Sequence, residues 1–321
     1  MGKHLERSRE TKYLGVTITA ENDYLRSHEK QLREKASRSM GALRARALWS
    51  FDRFHVLREL WKAVAVPGLT FGNAVLCISS PTIRLLDRKQ KEAGRAALNV
   101  HRTVPSAAIQ GDLGWSGFDA REAAPKILFE DRIRSSPDSW TIKKLYTSMV
   151  YNDVQTRWRR RTRTLMQTVG VTMKTLSDDT VHDTRQVRAL VRDWEGARWR
   201  DATEAKPSLR LFAEGKGEIR QERFYDNSMG SSLLFEARAG VLRTKEWWAK
   251  FKEPEAMTTA LCAICQKEPE TTAHIVVGCQ QLQPEPETTD LRKALGFDGG
   301  HYITVTKRRL ENWWRNERRI P

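Results

Sequence analysis

Cysteine is scarce in this chain, four residues among 321. That usage fits a reducing compartment, so an intracellular location, nuclear or cytoplasmic, is expected. No apolar run is long enough to span a bilayer and no charged-then-apolar leader opens the sequence, so no membrane partner is expected. Met1-Gly2 fits the start of a myristoylation signal, but Glu6 stands where Ser or Thr is required. Glycine-rich phosphate loops and the Gly-x-Ser-x-Gly elbow are missing, and no histidine lies near such an elbow, so a nucleophilic triad is not supported. No internal repeat is visible. Acidic residues are the minority charge, 40 against 56 Lys and Arg, for a net charge of +16.

An excess of that size points to a polyanionic partner, and nucleic acid is the commonest. The charge is spread along the chain and not held in one tail, so folded basic faces are expected. Eleven Trp and ten Phe are enough to build cores, and the length allows two or three packing units.

Three of the four cysteines crowd into one window, Cys262-Ala-Ile-Cys265, then His274, then Cys279. The order Cys-x2-Cys-x8-His-x4-Cys supplies three thiolates and one imidazole. That is a complete tetrahedral shell for a structural zinc ion, with no position left for water. Chance cysteines beside a surface histidine would not give four ligands at short, ordered spacing. The fourth cysteine, Cys77, sits in an apolar run ending at Ile78 and reads as a buried small hydrophobe.

Most of the chain reads as helix, and the expected fold class is mainly α. Tyr13-Leu-Gly-Val-Thr-Ile18 reads as one short strand. Leu25, Leu32, Ala36, Met40, Leu43 and Ala47 recur at helical spacing, and Phe54, Leu57, Trp61 and Val64 mark a second helix ended by Pro67-Gly68. Ser80-Pro81 supplies an N-cap and a first-turn proline for a helix carrying Leu86, Gln90, Ala93 and Ala97 on one face. Asp119 and Glu122, between Phe118 and Ala123, resemble a capping box. Pro137-Asp138 opens a helix through Trp140 and Leu145. Further helices are expected over 153–170 and 183–200, with Trp158, Leu165, Val187, Leu190, Val191 and Trp194 on their apolar faces. A polar connection runs from Leu176 to Thr184, and a break from Lys206 to Gly217. A short helix follows Ser231 and ends near Gly240, and a last one spans about 304–319 with Leu310, Trp313 and Trp314.

Two landmarks, Lys12-Tyr-Leu-Gly-Val-Thr-Ile18 and the Cys/His window, together resemble the C-terminal part of a LINE-type, non-LTR retrotransposon reverse transcriptase. In that family a Tyr-Leu-Gly-hydrophobic segment forms the primer grip at the end of the palm, a helical thumb follows, and a knuckle with Glu-Thr-x-x-His-x4-Cys closes the polypeptide. Here the last pattern stands as Glu270-Thr271-Thr272-Ala273-His274 and Cys279. Leu60-Trp-Lys-Ala-Val-Ala-Val-Pro-Gly-Leu69, then Phe71-Gly72, is similar to the family's thumb, and Lys307-Arg-Arg-Leu310 to its closing helix. The resemblance implies a palm remnant over 1–20 with Tyr13, Leu14 and Gly15 as primer grip. It implies a thumb over 21–112, a helical connector over 113–256, a CCHC zinc knuckle over 257–284 and a helical tail over 285–321. It covers the whole chain loosely and about forty residues closely.

One departure matters. Reverse transcription needs aspartates that hold two magnesium ions, and the family carries them ahead of the primer grip. That stretch is absent here. The single Asp-Asp pair, Asp178-Asp179, lies far downstream without strand pattern and reads as a turn or cap. Magnesium therefore belongs only to a full-length polymerase, and this chain is expected to be inactive alone. Too little sequence follows Cys279 for the nuclease domain that some members carry.

The thumb resemblance assigns Arg33, Arg38, Arg44, Arg46, Arg53 and Arg58 to backbone contact with a primer–template duplex. Seen alone, such a basic face is as often simply solvated. Arg157-Trp-Arg-Arg-Arg-Thr-Arg163 is denser. Its arginines, Arg157, Arg159, Arg160, Arg161 and Arg163, are candidates for phosphate contact, with Trp158 either stacking on a base or anchoring a helix. Trp247-Trp248 and Trp313-Trp314 are expected to support the knuckle and the final helix. The expected partners are RNA, RNA–DNA or DNA duplex, and the missing fingers and palm if the chain belongs to a longer polyprotein. Two alternatives stay open: a stand-alone zinc-dependent nucleic-acid-binding protein, and a zinc-stabilised protein-interaction module.

Overall fold

The computed structural model describes residues 8–21, 23–48, 50, 52–178, 180–250 and 260–317, without the side chains at 47, 48 and 317. The Ala47 side chain, Asp179 and the last two residues of the expected final helix lie outside the described set. The chain is mainly α. A hairpin of β1 (Glu10–Tyr13) and β2 (Val16–Thr19) comes first. Then follow α1 (Arg26–Leu48), α2 (Arg53–Leu60), a π-helical turn (Trp61–Ala65) and α3 (Val66–Thr70). Next are α4 (Ser80–Leu98), α5 (Ser106–Leu113), α6 (Phe118–Arg134), α7 (Thr141–Tyr151), α8 (Arg157–Val169) and α9 (Thr184–Glu204). The short α10 (Arg210–Gly215) precedes α11 (Met229–Arg238), α12 (Lys245–Ala249), α13 (Leu291–Ala294) and α14 (Ile303–Glu317). No described helix is long and apolar enough to cross a membrane.

The chain divides into two compact units. One comprises residues 1–43, 60–90 and 116–196, the other 44–59, 91–115 and 197–321.

In the first unit, the single expected strand is two strands. Leu14 and Gly15 both take positive φ, +46° and +84°, and turn the chain so that Tyr13 pairs with Val16 and Glu10 with Thr19. Two left-handed residues make the turn whose twist suits a two-residue hairpin. The usual Asn-Gly signal is missing, and a leucine in that conformation costs about 1–2 kcal/mol. The faces are also inverted: Thr17 and Thr19 are buried while Tyr13, Leu14 and Ile18 face solvent.

Helix α1 buries Leu32, Ala36, Met40 and Leu43 as the periodicity requires, with Leu25 just before it. The second expected helix departs in two ways. It does not stop at Pro67-Gly68, and Val64 is exposed. The π turn accounts for both. It adds a residue to one turn through the bond from Val66 N–H to Trp61 O, rotating the face after Trp61, and Pro67 falls in the first turn of α3, where its missing N–H is tolerated. Trp61 is fully buried and donates to Gln90 Oε1 at 3.3 Å, while Gln90 Nε2 donates to Ser116 O at 2.9 Å.

The expected capping box at α6 is not formed, because Asp119 lies inside the helix and the cap is Gly117. The first amides are satisfied from far along the chain: Gly117 N–H donates to Glu195 Oε1 at 2.6 Å and Phe118 N–H to Asp87 Oδ1 at 2.9 Å. Helix α7 starts later than Pro137-Asp138 implies. Trp140 caps it and is exposed, as is Leu145, while Lys143 and Tyr146 are buried. Helices α6, α8 and α9 meet in a core of Ala120, Ala123, Ile127, Leu165, Met166, Val169, Val187 and Val191.

The second unit is built around α11, in which Gly230 to Arg238 are all buried. It packs on α14, and Gly230 permits the approach: a Cβ there would stand 2.7 Å from the Lys307 carbonyl oxygen. Leu310 and Trp313 are fully buried on α14, and Trp314 is half-buried under the Arg243 guanidinium, 5.6 Å above its ring.

Candidate metal centre

A short paired segment carries the first two cysteines. Glu270 N–H donates to Ala260 O, Leu261 bridges Pro269, and Cys262 N–H donates to Glu268 O at 2.8 Å. The chain turns between them through Gln266, at φ +55°, whose N–H donates to Cys262 O at 2.9 Å. This fold-back needs a left-handed residue directly after Cys265 and brings both sulfurs to one side.

The other two ligands come from the Glu270-Thr271-x-x-His274-x4-Cys279 motif, and each of its residues has a physical task. Glu270 is fully buried; its carboxylate accepts from Lys245 N–H at 3.0 Å and Ala263 N–H at 3.3 Å, tying the start of α12 to the cysteine turn. Thr271 Oγ1 accepts from His274 N–H at 2.9 Å. From His274 the backbone winds one π turn to Gly278, and Cys279 N–H donates to His274 O at 2.7 Å. Four intervening residues thus return Cys279 to the histidine.

Cys262, Cys265, His274 and Cys279 present ligand atoms that all lie within 4.8 Å of one another. Cys262 Sγ is 4.0 Å from Cys279 Sγ, and Cys265 Sγ is 3.3 Å from His274 Nε2. Metal–ligand bonds of about 2.0–2.3 Å give tetrahedral edges of about 3.5–3.8 Å, and the spacing here is near enough for small side-chain shifts to close it on a four-coordinate ion. These four residues can hold a metal ion, and the donor set is compatible with zinc.

The surroundings prepare the donors. His274 Nδ1 is 2.8 Å from Glu268 Oε2, which fixes the proton on Nδ1 and leaves the Nε2 lone pair for a metal. Burial raises the Cys265 thiol, but the backbone N–H groups of Lys267 and Glu268, the His274 ring and Cys262 outweigh it and bring it down to about 6. Burial pushes Cys262 up to about 11 against the N–H groups of Cys265 and Ile264. Two donors thus start from opposite ends of the thiol range.

Arg309, fully buried on α14, closes the motif from outside the window. Its guanidinium donates to Ile275 O at 2.8 Å, Cys279 O at 2.5 Å, Pro284 O at 2.9 Å and the Leu282 carbonyl. One planar fork thereby collects four carbonyls that no helix or sheet satisfies. The sequence marked Lys307-Arg-Arg-Leu310 only as a helix resemblance; nothing local reveals that Arg309 points inward. Of the supporting tryptophans, Trp247 and Trp248 meet edge to face at 4.9 Å, directly after the Thr244 cap of α12.

A second buried centre in the same unit went unread in the sequence. Asp112 and Arg238 are both fully buried and pair through two bonds, 2.9 and 3.1 Å. Tyr225 Oη donates to Asp112 at 2.5 Å, Lys216 lies 3.7 Å away, and Arg238 also donates to Leu295 O at 2.6 Å. The guanidinium sits 4.1 Å above the Phe297 ring. Every group is partnered, which is the condition for burying charge. The partners are widely separated in sequence, so no motif announces them.

The arginines chosen for nucleic-acid contact divide. Arg159 is buried and donates to Met149 O, Val154 O and Asp153. Arg161 chelates Glu122 at 2.7–3.2 Å. Arg157 bonds Asp23 at 2.8 Å, Arg33 bonds Thr82, and Arg58 pairs with Glu59 and lies over the Phe54 ring. Arg53 is half-buried, as is Arg163, while Arg38, Arg44, Arg46 and Arg160 are exposed. Trp158 anchors its helix, donating to Ala74 O at 2.8 Å with its ring edge-on to Phe129. Tyr13 and Leu14 are exposed on the hairpin. Cys77 is buried with a raised thiol, as a small core residue is. Asp178 accepts from Thr180 N–H and Oγ1 in a local turn, as its setting implied.

No family model matches the chain, and no curated protein or solved structure matches it.

Proposed function

We propose that this chain is the nucleic-acid-binding C-terminal part of a LINE-type retrotransposon reverse transcriptase, with a closed structural zinc at Cys262, Cys265, His274 and Cys279. The observation that carries the reading is the fit of Glu270-Thr271-x-x-His274-x4-Cys279 to one four-ligand cluster, downstream of a helical region with exposed arginines. Four protein donors leave no position for a substrate, so the ion serves folding and not catalysis. The exposed arginines neutralise phosphates of RNA or a primer–template duplex with little base selectivity. The chain is expected to perform no polymerisation alone, since its one Asp-Asp pair, Asp178-Asp179, lies outside any strand pattern.

The reading is tested by metal analysis and RNA binding on the purified chain. One equivalent of zinc is expected, lost on changing His274→Ala with Cys279→Ser. Affinity for RNA is expected to fall steeply with salt, by roughly 0.7–0.9 log units per log unit of salt for each phosphate contact. A zinc-bearing chain with no salt-dependent RNA binding would instead favour the protein-interaction module. The internal engagement of Arg159 and Arg161 is the observation on that side.

A further inference from the structure

The first unit contains a cavity of about 530 Å³ bounded by the hairpin turn, α1 and the Pro67–Phe71 segment. Its lining carries three cations, Lys12, Lys35 and Arg38, and none of the described lining residues is acidic. Elsewhere in this unit arginines meet carboxylates, as at Arg161–Glu122 and Arg134–Asp131. A concentration of positive charge in a concave site, without internal neutralisation, favours an anionic occupant.

His28 gives a second, independent observation. Its ring lines the cavity, the residue is only 5% exposed, and neither ring nitrogen has a hydrogen-bond partner among the described residues. Buried polar groups are normally paired, so an unpaired one beside a cavity calls for a partner from outside the fold, a water, an ion or a ligand. Burial lowers the imidazole pKa, so the ring is neutral near pH 7 and offers one donor and one acceptor.

The remaining lining supplies an apolar platform. Phe71 is 57% exposed and Leu14 73%, and a Cβ added at Gly15 would stand in ordinary contact with the Phe71 ring, at 3.7 Å. Lys35 is held in place, its ammonium donating to Gly68 O at 2.8 Å. The volume suits a ligand of a few tens of atoms.

We propose that this cavity binds a nucleotide phosphomonoester, its phosphate against Lys12, Lys35 and Arg38, its base against Phe71, and its polar edge paired with His28. The occupant is either a free nucleotide or the 5′-phosphorylated end of a strand. Both present the same dianion beside one base. The inference goes beyond the nucleic-acid reading, since it assigns one concave site and one terminal unit where that reading assigns a distributed surface.

The test follows the His28 ring-nitrogen resonances of the full zinc-loaded chain, with AMP, a 5′-phosphorylated trinucleotide and its 5′-hydroxyl counterpart as probes. AMP and the phosphorylated trinucleotide are expected to shift His28. The hydroxyl form is expected to bind about tenfold more weakly or worse, since it has no terminal phosphate to accept the charge-assisted bonds. If AMP acts and the phosphorylated trinucleotide does not, the source is free nucleotide. If only the trinucleotide acts, it is a strand end. Arg38→Gln and Lys35→Gln, both at exposed positions, should each weaken AMP by about tenfold. A His28 resonance unmoved by all three probes at millimolar concentration overturns the proposal, as does AMP affinity unchanged in both variants. Salt-dependent binding of long RNA persisting in that case leaves the nucleic-acid reading intact; its loss alongside intact AMP binding leaves the cavity and removes the surface.

Discussion

Helices α11 and α7 make opposite use of their residues. α11 buries everything from Gly230 to Arg238, including Glu236 and Arg238. α7 buries Lys143 and Tyr146 and leaves Leu145 and Tyr151 in solvent. The contrast extends to the two units. The exposed large apolar side chains Tyr13, Leu14, Val64, Phe71, Trp140, Leu145 and Tyr151 belong to the first, whereas the second exposes Met229, Trp248 and Leu261. The second unit buries the Asp112–Arg238 pair and the Arg309 fork in its interior. The first also buries charge, in Lys126–Glu122 and Arg134–Asp131, but keeps more large apolar groups outside, where a partner can reach them. Changes to the buried pairs should therefore act on stability, and changes to the exposed face of the first unit on binding.

The largest effect is expected from metal removal. Structural zinc contributes about 10–16 kcal/mol to small zinc modules, and here the four ligands join a short paired segment to a single π turn. Chelation should abolish amide-exchange protection from Ile275 to Cys279 while protection in α6, α8 and α9 persists. Equal loss in both units would break the contrast. Next comes Arg238→Met, which leaves Asp112 buried beside one cation fewer and should cost about 3–5 kcal/mol in denaturant unfolding. Arg238→Met with Asp112→Leu should recover part of that loss, because two apolar groups replace two charges.

The legible parts of this chain were the local ones. The ligands fall at short spacing, so Cys262, Cys265, His274 and Cys279 could be chosen from order alone. Helical periodicity placed Leu32, Ala36 and Met40, and later Val187 and Val191, in cores where they are found. Reading failed where the deciding partner is remote. Asp119 and Glu122 have the spacing of a capping box, but Asp87 and Glu195 cap α6 and Glu122 serves Arg161. Arg309 and Asp112 look like surface charges until the elements that enclose them are in place. Arg159 carries the same spacing signal as the exposed Arg160, and only the loop at Met149–Val154 separates their fates.

A third prediction sharpens the contrast through pH. Burial raises the Glu236 carboxyl to about 7, only partly opposed by Arg243 and His101. Its folded pKa lies above the unfolded value, so the folded state binds the proton more tightly. The stabilisation is full below the unfolded pKa of about 4.5 and is lost as pH rises through about 7. Glu236→Gln should therefore raise stability at pH 8 relative to the native chain, by about 2–3 kcal/mol, and flatten the pH profile between pH 5 and 8, roughly the window of the shift. A variant that is less stable at pH 8 would mean the ionised carboxylate is well paired in solution.

The smallest effect on stability, and the most informative about binding, is expected from a comparison of two arginine pairs. Arg160 and Arg38 are exposed, and surface changes of this kind alter stability by no more than about 0.5 kcal/mol. Arg159 and Arg161 are anchored to backbone carbonyls and to Glu122, so replacing them strands buried acceptors. Reversing Arg160 and Arg38 to Glu should leave the unfolding midpoint in place while reducing the salt slope of RNA binding by roughly 0.7–0.9 for each phosphate no longer neutralised. Replacing Arg159 and Arg161 with Gln should lower the midpoint first and change RNA affinity only as far as folding is lost. If the exposed pair leaves the slope untouched and the buried pair flattens it in a chain that stays folded, the arginines that touch phosphate are the ones that also touch Glu122 and Met149. The division between internal and external charge would then fail for the first unit.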